Sequence, residues 1–294
     1  MGIWDLPWLK YVRLIRGFVF KSVFGQRPDL CKRLLETVLD VEIAEVELVQ
    51  SEREMDAVEK RRGGRVDLYI VDGEGNRYDV EVQTKRREDE WLRARHYQAL
   101  MDVNQLKRGT DACDLHSSIV LFICDFDPFA RGFMRYDCAT VCLQTGTVVP
   151  DRRSSIYLNI YGDTKGVSAG LRNLARLFRG EAVDNDGFVR EIVGEMQRCV
   201  DNPEWMEQFM TLEEEMEAEK EAAREEGRKE GCEEGRKEGR KAGRKEAYNQ
   251  VAVQNARLVD ALRDAGRLDE LPDAMSNTST REALLVEFGI AEEG

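Results

Sequence analysis

Apolar and polar residues alternate along two short runs within residues 65–85, and this alternation predicts a β-hairpin. The runs flank the segment DGEGN, whose two glycines favour a turn. One face of the two runs is apolar and contains Val66, Leu68, Ile70, Val80 and Val82. A register that buries this face sets Leu68 opposite Val80. The same register places Asp67 directly opposite Glu81.

Two carboxylates in opposed positions on neighbouring strands repel each other, so this arrangement needs a compensating positive charge. A divalent cation shared by Asp67 and Glu81 would supply it, and Mg²⁺ is usually bound by one or two carboxylates together with phosphate oxygens. Gln83 and Lys85 continue the same polar face, within reach of a phosphate or an attacking water. The alternative is a solvent-exposed face on which Arg65 or Lys85 neutralises the two acids.

The remaining pattern predicts an α/β core, a central mixed sheet with helices on its faces. Helical periodicity is found in residues 9–24, 28–41 and 88–106, the last with Trp91 and Val103 pointing inward. Strand patterns are found in residues 44–50, 118–126, 134–143 and 156–161. The strand at 118–126 is continuously apolar, which is typical of the buried middle of a sheet.

From residue 167 onward the pattern is entirely helical. Glycines recur every fourth residue in the highly charged run GRKEGCEEGRKEGRKAG, and on a helix they would form a slowly drifting ridge. This segment is either a solvated spacer or a close-approach face for a homo-oligomer. We therefore expect a core over residues 1–165, a helical extension packed on it over 166–212, a charged glycine-repeat helical arm over 213–250, and a small helical unit over 251–294.

The formal net charge of −13 argues against a nucleic-acid partner only when the chain is taken as a whole. Residues 201–294 hold 25 Asp and Glu against 14 Lys and Arg, so they carry −11 of that charge. No run approaches the roughly 20 apolar residues of a membrane span, and the first residues do not resemble a signal peptide, so we expect a cytoplasmic protein without a membrane partner. Seven scattered cysteines favour reduced thiols, and the presence of two histidines argues against a His-rich zinc site.

Asp67 followed by Glu81-Val82-Gln83 resembles the D…ExQ variant of the PD-(D/E)XK nuclease motif. The ordered segments FKSVFG at 20–25, Arg93 with His96-Tyr97, and QLKRG at 105–109 resemble the bacterial Rpn family of recombination-promoting nucleases, also described as PD-(D/E)XK transposases. The resemblance covers residues 17–165 and the glycine-repeat tail. It implies a restriction-endonuclease-like core and a DNA endonuclease that depends on Mg²⁺ or Mn²⁺, with a link to recombination or transposition.

The resemblance and the local charge assign roles to individual residues. Asp67, Glu81 and the carbonyl of Val82 are the expected metal ligands, and Gln83 and Lys85 complete the catalytic set. The expected DNA contacts are Lys21, Arg65, Arg86, Arg87 and Arg93. The auxiliary candidates are Glu36, Asp79 and His96. Two other functions stay open on the same fold: a catalytically inactive protein that binds DNA or assembles with itself, and a nuclease directed at RNA or acting as a toxin.

Overall fold

A six-stranded sheet with helices on both faces forms the first part of the protein in the computed structural model. The structure describes residues 6–55, 64–106, 109 and 111–290, except for the side chains of residues 52–55, 64–66 and 219. The strands are β1 (Val46–Met55), β2 (Gly64–Asp72), β3 (Arg77–Gln83), β4 (Ser118–Cys124), β5 (Arg135–Cys138) and β6 (Arg153–Asn159). Their order across the sheet is β1-β2-β3-β4-β6-β5.

The sheet is mixed, as the sequence predicts. Strands β1, β2 and β3 pair antiparallel, β3, β4 and β6 pair parallel, and β5 closes the far edge antiparallel to β6. Parallel neighbours need a crossover, and the helix between β3 and β4 provides it. This topology places the carboxyl ends of β3, β4 and β6 at one edge of the sheet.

Helices precede, connect and follow the strands along the chain. They are α1 (Gly17–Phe24), α2 (Pro28–Leu39), α3 (Glu90–Gln105), α4 (Ala169–Arg179), α5 (Gly187–Val200), α6 (Pro203–Asp264), α7 (Leu271–Ser276) and α8 (Thr278–Glu287). Helices α1, α2, α4 and α5 share a large apolar core with one sheet face, which contributes Leu68, Val80 and Leu121. Helix α3 packs on the other face, over Tyr69 and Phe122. Both faces of the central strands are therefore buried.

The hairpin of β2 and β3 has the predicted register, with Leu68 opposite Val80 and Val71 opposite Arg77. The buried carboxylate of Asp72 fixes the turn, because it accepts hydrogen bonds from the backbone N–H groups of Glu74 and Asn76 and from the Tyr78 hydroxyl. A φ of +82° at Gly75 closes the turn, in a region that glycine enters without strain. The turn chemistry thus sets which residues face each other further along the hairpin.

The predicted continuous helix over residues 9–24 is wrong. The structure has a short 3₁₀ turn, Pro7–Lys10, then an irregular stretch, and α1 begins only at Gly17. Val12, Leu14 and Ile15 are all buried. On an α-helix, positions 12 and 14 would point about 200° apart, so one face could not bury all three.

Two orientations on α3 were also predicted wrongly. Trp91 and Val103 do not point fully inward, since 42% of Trp91 and 52% of Val103 are exposed. The other residues that the sequence predicts to face inward, Ala94, Tyr97, Leu100 and Met101, are buried.

The C-terminal residues form a second compact unit, Leu212–Gly294. The charged glycine-repeat segment lies within α6 and is exposed along its length. A small apolar cluster closes this unit and consists of Leu258, Leu262, Ala274, Leu284 and Leu285. Within the part of the chain that the structure describes, no helix combines the length and apolar character that a bilayer span requires. The four-part division of the chain stays a prediction.

Candidate active site

The acid pair lies where strands β2 and β3 separate. Their ladder ends at Leu68 and Val80, so the next residues, Asp67 and Glu81, meet through side chains instead of backbone bonds. The backbone N–H of Asp67 donates to Glu81 Oε1 at 3.0 Å, and the N–H of Val82 donates to Asp67 Oδ2 at 3.4 Å. The two carboxylates therefore converge on the gap between the strands, as the predicted register requires.

Two cations from two different helices flank this pair. Lys21 of α1 brings its Nζ to 3.9 Å from Asp67 Oδ1. Arg93 of α3 places a guanidinium nitrogen 2.7 Å from Glu81 Oε2. The sequence assigns both cations to DNA and expects Arg65 or Lys85 to neutralise the acids in the alternative arrangement. Among the described side chains, Lys21 and Arg93 take this role, because α1 and α3 cover opposite faces of the hairpin.

Gln83 connects the acid to the arginine. Its Nε2 donates to Glu81 Oε2 at 3.2 Å, and its Oε1 accepts from Arg93 at 2.9 Å. Arg93 also donates to the Tyr97 hydroxyl at 3.0 Å, one helical turn further along α3. This network fixes the Arg93 guanidinium beside the Glu81 carboxylate. Arg93 lies on a helix and Glu81 on a strand, and both are rigid elements.

Access to the site is one-sided. The Glu81 side chain is 4% exposed, whereas that of Asp67 is 27% exposed and that of its partner Lys21 is 21% exposed. A ligand from solvent would therefore reach the pair at Asp67. Burial, reinforced by the nearby charge of Asp67 and opposed by Arg93, raises the pKa of Glu81 to about 7.

Asp79 is a third carboxyl on the same strand face. It is fully buried, and neither oxygen accepts a hydrogen bond from the residues that the structure describes. Burial, with the charges of Glu81 and Asp67 adding to it, raises the pKa of Asp79 well above its usual range. Burial of Asp79 beside the acid pair therefore favours its uncharged, protonated form.

The donor set fits a hard divalent cation such as Mg²⁺ or Mn²⁺. Carboxylate oxygens come from Asp67 and Glu81. The N–H of Val82 points at Asp67, and a strand residue directs its N–H and C=O to the same side, so the carbonyl of Val82 faces the same gap. No group of three or more His, Cys, Asp or Glu side chains in the described ranges could by itself hold a metal. An ion here would rely on two carboxylates, a carbonyl, water and phosphate, which is the usual mode for Mg²⁺.

Lys85 and the predicted DNA contacts Arg86 and Arg87 lie around this edge without joining the network. Lys85 is exposed in the bend that follows β3. Arg86 donates to the Pro128 carbonyl at 3.3 Å, and Arg87 pairs with Asp89 at 3.0 Å. The side chain of Arg65 lies outside the described residues.

The auxiliary candidates Glu36 and His96 have surroundings of their own. Glu36 accepts from the backbone N–H of Ile43 and pairs with Lys32 at 3.7 Å, so it caps the loop after α2. His96 is exposed, with its ring centroid 6.1 Å from that of Tyr97. The structure therefore brings Asp79 to the acid pair and gives Glu36 and His96 other contacts.

Sequence reasoning missed a second ion pair at this edge. Asp125 directly follows β4, and its N–H donates to the Gln83 carbonyl at 2.8 Å. Arg13, from the irregular stretch before α1, lies 3.9 Å from Asp125 Oδ1. An acidic residue immediately after a buried parallel strand is the sequence feature that could have indicated Asp125.

A comparison with family models identifies the core. The model described as PD-(D/E)XK nuclease family transposase matches residues 15–161, a span that contains α1, the hairpin, α3 and all of the sheet. The comparisons with curated proteins and with solved structures gave no match. Since the matched span is half of the chain, this protein belongs to the PD-(D/E)XK nuclease family transposases.

Proposed function

We propose that the protein is a metal-dependent DNA endonuclease that hydrolyses phosphodiester bonds. The observation that carries the proposal is the convergence of Asp67 and Glu81 at the point where β2 and β3 part. Two carboxylates and the Val82 carbonyl offer oxygen ligands on one side, and solvent reaches the pair at Asp67. Mg²⁺ or Mn²⁺ bound there would polarise a phosphate and lower the pKa of a bound water.

The chain's own residues would then orient the substrate and offset its charge. Gln83 stands where many relatives of this motif have lysine, and its amide carries no charge. Arg93 supplies that charge from α3, and Gln83 positions it through the 2.9 Å hydrogen bond. A guanidinium held in this way can stabilise the negative charge that develops on a phosphate in the transition state.

DNA is the substrate that the family description favours, and the surroundings of the site agree with it. Lys85, Arg86 and Arg87 are exposed in the segment that leaves β3 at the site edge. Phosphate contacts by such residues give affinity without reading sequence. A role in recombination or transposition follows from the family description alone.

One observation favours a second candidate, a catalytically silent protein that binds DNA. Lys21 and Arg93 already neutralise the two acids without any metal. In that case the acid pair belongs to a structural ion-pair network and does not bind divalent cations.

A plasmid-nicking assay with Mg²⁺ or Mn²⁺ separates the two candidates. We compare the wild type with Asp67→Asn and Glu81→Gln, which remove the charge and keep the shape. Glu47→Gln is the matched control, because Glu47 is an exposed carboxylate on β1 of the same sheet. The nuclease predicts nicking by the wild type and the control. The other two should nick more than about 100-fold more slowly, because loss of even an outer-shell partner of a metal costs about 10- to 100-fold.

Equal nicking by all four proteins would remove the proposed site. DNA binding by all four without nicking, together with no Mn²⁺ binding by calorimetry, would establish the silent protein instead. A clear preference for RNA over DNA would keep the site and change the substrate.

A further inference from the structure

A cavity of about 430 Å³ borders the opposite flank of the helix that supplies Arg93. Its lining includes Trp91, Arg95 and Gln98 from α3, together with Phe129, Arg153 and Tyr157. This volume lies in the range of pockets that bind small molecules. No residue of the lining is acidic. Burial raises the pKa of the Cys138 thiol in its wall, which favours the uncharged thiol over the thiolate.

Three aromatic rings form one wall of the cavity. The ring of Trp91 lies 4.9 Å from that of Phe129 and 5.8 Å from that of Tyr157, and Phe129 meets Tyr157 edge-on at 5.4 Å. Trp91 nevertheless stays 42% exposed. An indole held by two other rings and open to solvent is a preformed surface for stacking a planar ligand.

Cationic and polar groups complete the lining. Arg95 is exposed and, among the described residues, makes no ion pair, while Arg153 is 41% exposed beside Asp151 at 3.5 Å. Gln98 is almost buried, and its Nε2 donates to the Ser154 carbonyl and the Ser155 hydroxyl. Its amide oxygen accepts no hydrogen bond within the described ranges and is left for a ligand donor. The cavity thus combines a stacking surface, an acceptor, the positive charge of Arg95, and the guanidinium of Arg153, whose charge Asp151 partly offsets.

The position of the cavity relates it to the acid pair. Glu81, Phe122 and Tyr157 are register partners across β3, β4 and β6, so Tyr157 lies two strand spacings, about 10 Å, from Glu81. Arg93 lies over the Phe122 ring at 5.6 Å, and Phe122 stacks on Tyr157 at 5.2 Å. The acid pair and the cavity therefore lie on the two flanks of α3, about 10 Å apart across the sheet.

We propose that this cavity binds one unpaired nucleobase of the substrate strand, stacked on Trp91, with the adjoining phosphate at Arg95 and Arg153. The inference rests on the proposed nuclease function and names the form of its substrate: a strand with at least one unpaired nucleotide beside the cleaved bond. An apolar ligand would not pair with the two arginines, and a phosphate alone would not stack on the three aromatic rings. A base still paired in a duplex is stacked between its neighbours, so its face is not available to Trp91.

Photocrosslinking tests where the base lies. A single-stranded oligonucleotide carrying 5-iodouracil is irradiated together with the whole chain. A metal chelator in the buffer prevents cleavage. The crosslinked peptide is then identified by mass spectrometry. A crosslink within residues 91–98 or at Phe129 or Tyr157 is the expected result. A crosslink confined to other peptides overturns the proposal. A parallel reaction with the free 5-iodouracil mononucleotide shows whether the cavity takes a nucleotide by itself or only within a strand.

Binding of the same oligonucleotide, followed by fluorescence anisotropy in chelator, tests the residues. Trp91→Ala should weaken binding about 5- to 150-fold, the range found for loss of one base-stacking ring, and Trp91→Phe should restore part of it. Arg95→Ala, a surface change that leaves the rings in place, should weaken binding and lower the slope of affinity against salt by about one. Leu92→Ala, an exposed neighbour on α3, is the control and should bind as the wild type does. A fully paired duplex should bind all five proteins, the wild type and the four variants, equally.

The two proposals fail separately. If Trp91→Ala and Arg95→Ala bind the single strand as tightly as the wild type, or if the wild type does not bind it, the cavity is not a base site. The nicking results with Asp67→Asn and Glu81→Gln are unaffected by that outcome. If those two variants nick normally while Trp91→Ala still loses single-strand affinity, the acid site is wrong and the base cavity stands.

Discussion

The guanidinium of Arg93 lies 2.7 Å from the carboxylate of Glu81, and a helix residue thereby neutralises a buried acid on the neighbouring strand. The same guanidinium lies 2.9 Å from the amide oxygen of Gln83. Gln83 cannot carry charge, so the strand alone does not provide a cation next to the acid pair. Arg93 provides it from α3, and the hydrogen bonds of Gln83 and Tyr97 fix its orientation.

The first prediction concerns this arginine. Arg93→Ala should lower kcat for DNA nicking by about 100- to 1,000-fold, the usual effect of losing one group that stabilises transition-state charge. Arg93→Lys should keep part of the activity, because it retains the charge and loses the two-pronged geometry that contacts both Glu81 and Gln83. Steady-state nicking on a supercoiled plasmid, with kcat and KM separated, measures both variants.

The matched control is Arg190→Ala, which removes an exposed arginine on α5. It should leave kcat unchanged. An Arg93→Ala protein that is folded, as judged by circular dichroism, and nicks at the wild-type rate would show that Arg93 only balances the charge of Glu81.

The acid pair could be predicted from the sequence because its geometry is local. Alternation fixes which side chains share a face, and the turn at Asp72 fixes the register, so Asp67 and Glu81 follow from residues within one hairpin. The order of elements along the chain also predicts the mixed sheet and its helices, because β4 is continuously apolar and the crossover between β3 and β4 is helical.

The cations could not be assigned because their partners are distant along the chain. Arg93 reaches Glu81 from a helix packed over the sheet, and no periodicity distinguishes this arrangement from a DNA contact. The apolar character of Trp91 predicts that it is buried. The cavity that leaves it open to solvent results from the packing of α3, β5 and β6, which the local sequence pattern does not show.

The second prediction is a pH dependence of stability in the metal-free protein. The folded state raises the pKa of Glu81 from 4.5 to about 7, so it retains a proton that the unfolded chain releases. The free energy of unfolding should therefore fall as the pH rises from about 4.5 to about 7, by on the order of 3 kcal/mol. Asp79, whose pKa is also raised, acts in the same direction. Urea denaturation in chelator across this pH range measures the slope.

Two variants separate the contributions to that slope. Glu81→Gln should reduce the dependence of the free energy of unfolding on pH between 4.5 and 7. Asp79→Asn should remove the contribution of Asp79 to that dependence. The carboxyls of Asp29 and Asp127 have lowered pKa values, so their contributions change below pH 4, outside this window. An equal slope in the wild type and in Glu81→Gln would mean that Glu81 is ionised in the folded protein throughout.

The third prediction concerns the turn that sets the hairpin register. Asp72→Ala removes the acceptor for the N–H groups of Glu74 and Asn76 and for the buried Tyr78 hydroxyl. Leaving these donors without a partner should lower the free energy of unfolding by roughly 2 to 4 kcal/mol. Glu74→Ala is the control in the same turn, because the Glu74 side chain makes only an exposed 3.4 Å contact with Asn76 among the described residues. Its effect should stay within about 0.5 kcal/mol. A similar loss in both variants, measured by urea denaturation, would contradict the role given to Asp72.

The fourth prediction concerns the glycine ridge of α6. A Cβ added at Gly231, Gly235 or Gly239 would meet no atom within 4 Å, so alanine is sterically accepted there. Each substitution should stabilise the exposed helix by about 1 kcal/mol, because alanine loses less backbone entropy than glycine. Amide hydrogen exchange across residues 225–250 should slow by about fivefold for each alanine. The contrasting variant is Gly162→Ala in the core, where a Cβ would lie 2.3 Å from the Met134 Cα and must destabilise the protein. If the triple alanine variant instead changes the sedimentation coefficient through altered self-association, the ridge is a contact between copies of the chain and not a solvated arm.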